Sequence, residues 1–332
     1  MRIIGNWTKA FLLAALADLL LTATFQTCYA APWSFAVTGD GRANPKESPV
    51  DQTGINTHVF TNLLHAIAAS PIKPQFVLYT GDLVCGTNAA VSASLSEQME
   101  AWKKIAKTEL PGVPVYVVRG NHETYGDADG SLWLKEFKPL LDEDQVTYLE
   151  GEKGYSYYFS PAADSNTVVV AVDQFQPGRE HRVNLAELAR VLRTAKANGA
   201  RHLFVMAHEM AFTCSAHGDT DNMAAFPAER NEFLRLLQTN GCSYFLAGHD
   251  HCYDWMAITN RAWPADYVLN QIVVGTAGAP FYADKGYWGD AGGYGLRQVE
   301  HKTGTYGFVQ VIVDDEATTN QVRACFREVA AP

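Results

Sequence analysis

The chain reads as an α/β protein, and three observations carry that reading. Short apolar runs rich in β-branched and aromatic residues alternate with segments of helical spacing. Four short polar clusters directly follow or end such a run, and the pattern between residues 155 and 173 turns into a hairpin that crosses to a second sheet. Open α/β sheets bind ligands just past the carboxyl ends of their strands, so the clusters mark a candidate site.

Trp33 to Thr38 and Phe76 to Thr80 are buried-strand patterns, each ending in Gly-Asp, and Asn56 to Ala69 between them has helical periodicity closed by Ser70-Pro71. This is a β-α-β unit. Ser94 to Leu110 is the next helix, stopped by Pro111-Gly112, and Val113 to Arg119 is the strand leading into Gly120-Asn121-His122-Glu123. Tyr155 to Ser160 and Thr167 to Asp173 form the hairpin. Leu185 to Asn198 is a helix stopped by Gly199, Arg201 to Ala207 a strand ending at His208, and Ala228 to Asn240 a helix stopped by Gly241. Cys242 to Ala247 then delivers Gly248-His249-Asp250-His251, and Asn270 to Gly275, Tyr306 to Val313 and Gln321 to Glu328 are the last strands. The stretch Gly275 to Gly295, with Tyr282, Tyr287, Trp288 and Tyr294, reads as a long loop, of a length that is either functional or disordered.

Residues 1–30 have the pattern of a cleavable export signal: Arg2 and Lys9, an apolar stretch from Ala10 to Phe25, and Cys28-Tyr29-Ala30 before Ala31. A membrane span needs about 20 apolar residues, and Asp18 interrupts this run. The expectation is a secreted or periplasmic protein, with residues 31–332 as one domain and no membrane span after cleavage. That domain carries 24 basic and 35 acidic residues, a net charge of −11. Without Lys/Arg runs, such a surface disfavours nucleic acid as a partner. Five cysteines remain, Cys85, Cys214, Cys242, Cys252 and Cys325. Their spacing fits no structural zinc pattern, and an oxidising compartment leads us to expect at least one disulfide.

The clusters Thr38-Gly39-Asp40, Thr80-Gly81-Asp82, Gly120-Asn121-His122-Glu123, Met206-Ala207-His208 and Gly248-His249-Asp250-His251 appear in the order a two-metal phosphoesterase needs. A phosphoester repels nucleophiles because its oxygens are negative, and two cations about 3.5–4 Å apart clamp those oxygens and activate a water. Carboxylates, an amide oxygen and imidazoles suit such ions. Asp82 has two oxygens and can bridge them; Asn121, His208, His249 and His251 supply neutral donors. A period-two spacing in an extended loop sends the rings of His249 and His251 to one side. His122, beside Asn121, is placed to protonate a leaving oxygen. A lone Gly-Asp is more often a turn than a ligand; the joint order sets these apart. His58, His65, His181, His202 and His301 lie in ordinary helix, loop or strand contexts and read as structural.

At these residues the chain resembles the calcineurin-like metallophosphoesterases, and most closely their purple acid phosphatase branch and secreted bacterial relatives. The resemblance runs from Trp33 to about Trp255. It implies a four-layer αββα sandwich of two mixed sheets flanked by helices. It also implies one metal held by Asp40, Asp82 and His251 and another by Asp82, Asn121, His208 and His249. His217, nine residues past His208, matches a substrate-phosphate histidine of the plant purple phosphatases. Two positions depart from the pattern: Arg42 stands where most members place a histidine ligand, and Cys85 where purple phosphatases place a tyrosinate. A guanidinium cannot ligate a cation, so Arg42 either neutralises Asp40 or contacts phosphate. Cys85 is either a disulfide partner or a metal ligand.

The function implied is phosphoester hydrolysis of a small substrate by a metal-activated water, with His122 as general acid and two ions of Fe, Zn or Mn. A phosphodiesterase acting on nucleotides or lipid headgroups is the alternative within that chemistry. A noncatalytic binding protein on the same fold is the alternative outside it.

Overall fold

The computed structural model describes residues 31–330 apart from 214, 219, 284–290 and 320. The expected export signal, Cys214 and the centre of the Gly-rich loop therefore lie outside the described residues.

Two mixed sheets pack face to face. The first has the order β13-β12-β1-β2-β3, from β1 (Trp33–Thr38), β2 (Pro74–Tyr79), β3 (Val115–Val117), β12 (Tyr306–Val313) and β13 (Val322–Val329). β1, β2 and β3 run parallel, and β12 and β13 join antiparallel. The second has the order β11-β9-β10-β8-β7-β6-β5-β4. Its parallel centre is β6 (Thr167–Ala171), β7 (His202–Met206), β8 (Tyr244–Ala247) and β10 (Leu269–Val274). β4 (Thr147–Tyr148), β5 (Tyr157–Phe159), β9 (Tyr253–Asn260) and β11 (Tyr294–Lys302) flank it antiparallel.

Strand periodicity explains the layering. In β1, Phe35 and Val37 point into the layer between the sheets, with Phe76, Tyr116, Tyr157, Phe159, Val169, Phe204, Ile272 and Val311. Ala36 points the other way, into a layer closed by helices α1 (Thr57–Ala68), α2 (Leu95–Glu109) and α4 (Ser131–Glu143). The outer face of the second sheet is covered by α5 (Leu185–Ala197) and α6 (Pro227–Asn240). Stacked Phe35 and Phe76 (centroids 4.9 Å apart) and the edge of Phe204 (5.0 Å) fill the centre. Burying rings of this size is the largest favourable contribution a side chain can make here. The result is the four-layer sandwich.

Local signals set the helix ends. Ser94 and Glu97 form a reciprocal cap at α2, and Asn56 and Asn184 cap α1 and α5. Gly241 stops α6 in the left-handed region.

Three of the longer elements depart from the sequence reading. α4 carries Pro139 in its interior, and its first N–H groups are satisfied from outside by Asp127, which accepts from Leu132 and Trp133. β9 starts directly behind the Gly-His-Asp-His cluster, and β11 begins inside the stretch read as loop. Half-exposed and bearing Arg297, Glu300, His301 and Lys302, β11 has the charged pattern of an edge strand rather than a buried one.

Candidate metal centre

Every cluster sits on the loop after a strand, and the sandwich brings loops from both sheets to one place. β1, β2 and β3 contribute Asp40, Asp82 and Asn121. β7 and β8 contribute His208 and the His249–His251 pair.

The first two loops are stitched together: Asp40 N–H donates to Gly81 O and Gly41 N–H to Asp82 O, each at 2.9 Å. Asp40, Asp82 and His249 all hold positive φ (61°, 52° and 72°), which costs side-chain-bearing residues energy and turns up at functional sites. The sharp turn at His249 corrects the expectation of an extended loop: a left-handed residue, not an extended period-two run, aims the two imidazoles. Gly81 (φ +96°) has no room for a side chain, since a Cβ would meet His208 Nδ1 and Gly120 N.

Glu123 locks this frame. One carboxylate oxygen accepts from Gly120 N (2.6 Å) and Asp82 N (3.0 Å), the other from Leu83 N (2.8 Å) and Val84 N (3.2 Å). It ties the Asp82 loop to α3 (Asn121–Thr124). Burial, then the neighbouring Asp82, pushes Glu123 up to about 8. Asp40 is raised well above the carboxylate range for the same reasons, burial first and Asp82 second. Burial also works against ionised Asp82, but His122, His208 and Arg42 together outweigh it and hold it down at about 2.

The imidazoles are oriented through their far nitrogens. His208 Nδ1 meets Thr80 O at 2.7 Å, His249 Nε2 meets Asp221 O at 2.8 Å, and His251 Nδ1 meets Pro280 O at 2.5 Å. A carbonyl only accepts, so each of these nitrogens carries the proton and the other nitrogen presents a lone pair. Burial, reinforced by neighbouring positive groups, keeps His249 and His251 well below the usual imidazole range, in the neutral form a metal ligand requires.

Four acceptors consequently converge with no donor among them. Around His208 Nε2 lie His249 Nδ1 at 3.0 Å, Asn121 Oδ1 at 3.2 Å and Asp82 Oδ1 at 3.5 Å. Asn121 Nδ2 donates to Tyr125 OH (2.8 Å), which turns its oxygen inward. Such a cluster repels itself unless a cation fills it. Tetrahedral ligands at about 2.0–2.2 Å from an ion are ~3.4 Å apart, so the spacing fits a metal. On the other side of Asp82, Asp40 Oδ1 and His251 Nε2 are 3.7 Å apart, which leaves three protein donors for a second ion.

His122 faces this centre. Its Nδ1 donates to Cys85 O (2.7 Å), leaving Nε2 at 3.7 Å from Asp82 Oδ2. Burial is the main influence on its basicity and lowers it, against the opposing pull of Asp82. His217 stacks on His249 (3.6 Å between centroids) and is held by Asp250 Oδ1 at 3.0 Å. Arg42 is buried, with Nε 3.8 Å from Asp82 Oδ2. Cys85 is a buried free thiol, so its reading as a disulfide partner is not met. Burial raises it, Arg42 opposing. Cys242 and Cys325 are also free thiols.

Four contributors were not assigned from sequence. Glu123 and Asp250 lie inside the quoted clusters, and their roles toward backbone N–H groups and His217 show only in three dimensions. Tyr282 stacks on His251 (4.0 Å, 13°) from the Gly-rich loop. His181, read as structural, is a partner of buried Glu209 (2.7 Å), the neighbour of His208. The remaining histidines keep their structural reading: His65 pairs with Glu109, His202 with Asp315 and His301 with Asp254.

Residues 36–253 match the model of the calcineurin-like phosphoesterases. Purple acid phosphatase 17 of Arabidopsis thaliana is 24% identical over 203 residues, covering 51% of this chain and 53% of that relative. The chain thus spans about half the length of the relative it matches. Among solved structures, the purple acid phosphatase PPD1 from yellow lupin (Lupinus luteus) seeds superposes with a TM-score of 0.61 at 14% identity, over 90% of this chain and 52% of that one. PhoD superposes with a TM-score of 0.50 at 10% identity, over 91% of this chain and 72% of that one. These superpositions show a shared fold.

Proposed function

Because the chain belongs to the calcineurin-like phosphoesterase family, we propose that it is an exported, metal-dependent phosphoester hydrolase in which His122 protonates the leaving group. The convergence of Asp82, Asn121, His208 and His249 on one donor-free point carries this reading. The family is binuclear, and this oxygen and nitrogen donor set suits iron, zinc or manganese. Bound ions would polarise the phosphoryl oxygens and lower the pKa of a water that attacks phosphorus.

The chain's own residues do the rest. Asp82 would be shared by both ions. Asp40 is fixed by His249 N–H, which donates to both of its oxygens (3.2 and 3.0 Å). His217, held by Asp250 through Nδ1 and with Nε2 3.8 Å from Asp221 Oδ2, would meet the substrate's phosphate. His122 has its Nδ1 proton engaged with Cys85 O, so once the ring is protonated Nε2 is the nitrogen that carries the transferable proton.

His122→Ala tests the role. Turnover of an alkyl phosphate should fall about 10²–10⁴-fold, that of an aryl phosphate far less, with metal content unchanged. An equal loss on both substrates would remove His122 from proton transfer. Running diesters beside monoesters in the same assay identifies the substrate class: the reading here is a monoester, and faster turnover of bis-aryl phosphate would replace it by a diesterase.

A further inference from the structure

Arg42 takes no part in the steps above, yet it is buried beside Asp82 and its Nε has no hydrogen-bond partner. Nη2 approaches Tyr282 OH at 3.4 Å, and Tyr282 in turn covers His251. A tyrosine that accepts from a guanidinium keeps its own proton available to donate. The Asp40/Asp82/His251 side therefore presents a guanidinium N–H without a hydrogen bond, paired only at 3.8 Å with Asp82 Oδ2, and a phenol O–H beside the place where a cation would be held. That pair matches a tetrahedral oxyanion, which accepts from several donors at once.

We propose that Arg42 and Tyr282 form an oxyanion clamp, and that the ion on the Asp40/Asp82/His251 side is taken up together with the anion rather than held permanently. The inference rests on the phosphoesterase reading and specifies how its two ions are acquired. Charge counting explains the coupling. The two ligand carboxylates, Asp40 and Asp82, bring two negative charges, the ligand imidazoles none, and Arg42 cancels one. A single divalent ion on the four-donor side already more than balances the remaining one. A second divalent ion would leave three uncompensated positive charges in a buried site, beside a guanidinium and with only three protein donors. A phosphate dianion removes two of them and adds oxygen ligands, and the clamp binds that dianion's other oxygens.

Mn²⁺ binding to the metal-free protein, followed by the EPR signal of free Mn²⁺ with and without inorganic phosphate, tests this. Wild type should bind one ion tightly without phosphate and two with it. Arg42→His, which removes the charge and adds a donor, should bind two ions without phosphate. Tyr282→Phe should keep the single tight ion but weaken phosphate about tenfold. Two tight ions in phosphate-free wild type, one ion in wild type even with phosphate, or one ion in phosphate-free Arg42→His would each overturn the proposal. Binding of no ion at all would overturn the metal-dependent reading itself. Circular dichroism of each variant separates these results from misfolding, and the wild-type measurement stands without any variant.

Discussion

At the scale of the residue, the site depends on side chains whose own positions are enforced by neighbours. Asp250 shows this. It accepts from His217 Nδ1, Ser215 N–H (3.1 Å) and the Thr213 hydroxyl, so its carboxylate holds the His217 ring, stacked on His249, that we propose meets the substrate's phosphate. Asp250→Asn should raise KM for a phosphate ester about tenfold while kcat and bound metal change far less, because the lost interaction is with the substrate's phosphate rather than with the transition state alone. An unchanged KM in steady-state kinetics would assign the pair a purely structural role. The candidate ligands, which the fold brings together, were legible in the sequence because residue type and order specify donors. Tyr282 and the His181–Glu209 pair were not, since Tyr282 lies 31 residues from His251 and His181 lies 28 from Glu209, so loop closure rather than local pattern decides each contact.

At the scale of the element, strands ending in short clusters were readable from β-branched runs, and caps such as Ser94/Glu97 fixed helix starts. Among the elements that escaped were α4, with its internal Pro139, and β11, whose charged side chains suit a sheet edge but hide its pattern. α4 is fastened to α2 by Glu136, which accepts from Lys103 Nζ (2.5 Å), Lys135 Nζ (2.8 Å) and Ser96 Oγ (2.9 Å). Burial is the largest single influence on Glu136 and raises it, but these three donors outweigh it and hold it down from 4.5 to about 2. A carboxylate lowered on folding stabilises the protein above its unfolded pKa and loses that contribution as pH falls through its folded one. Glu136→Gln should therefore cost about 1–3 kcal/mol near pH 7. The gap between wild type and variant should close between pH 4.5 and about 2. Thermal melts at pH 7 and pH 3 measure this; a gap that widens on acidification would contradict the assignment.

At the scale of the whole molecule, the candidate metal centre is assembled only because two sheets pack together. Asp40, Asp82 and Asn121 come from one and His208, His249 and His251 from the other, so the aromatic layer around Phe35, Phe76 and Phe204 positions chemistry as well as burying surface. Export is a separate expectation: the mature chain should begin at or near Ala31, and N-terminal sequencing that finds Met1 on the soluble protein would contradict it. Among the described residues no helix is long and apolar enough to cross a membrane. The most direct test of the central claim is phosphate release from an aryl phosphate by chelator-stripped protein before and after metal is restored, with His208→Ala alongside. Metal-dependent hydrolysis at this centre predicts that stripping abolishes release in wild type, that added metal restores it, and that His208→Ala shows neither release nor recovery. Release that persists in stripped protein, or recovers fully in His208→Ala, would show that the chemistry lies elsewhere.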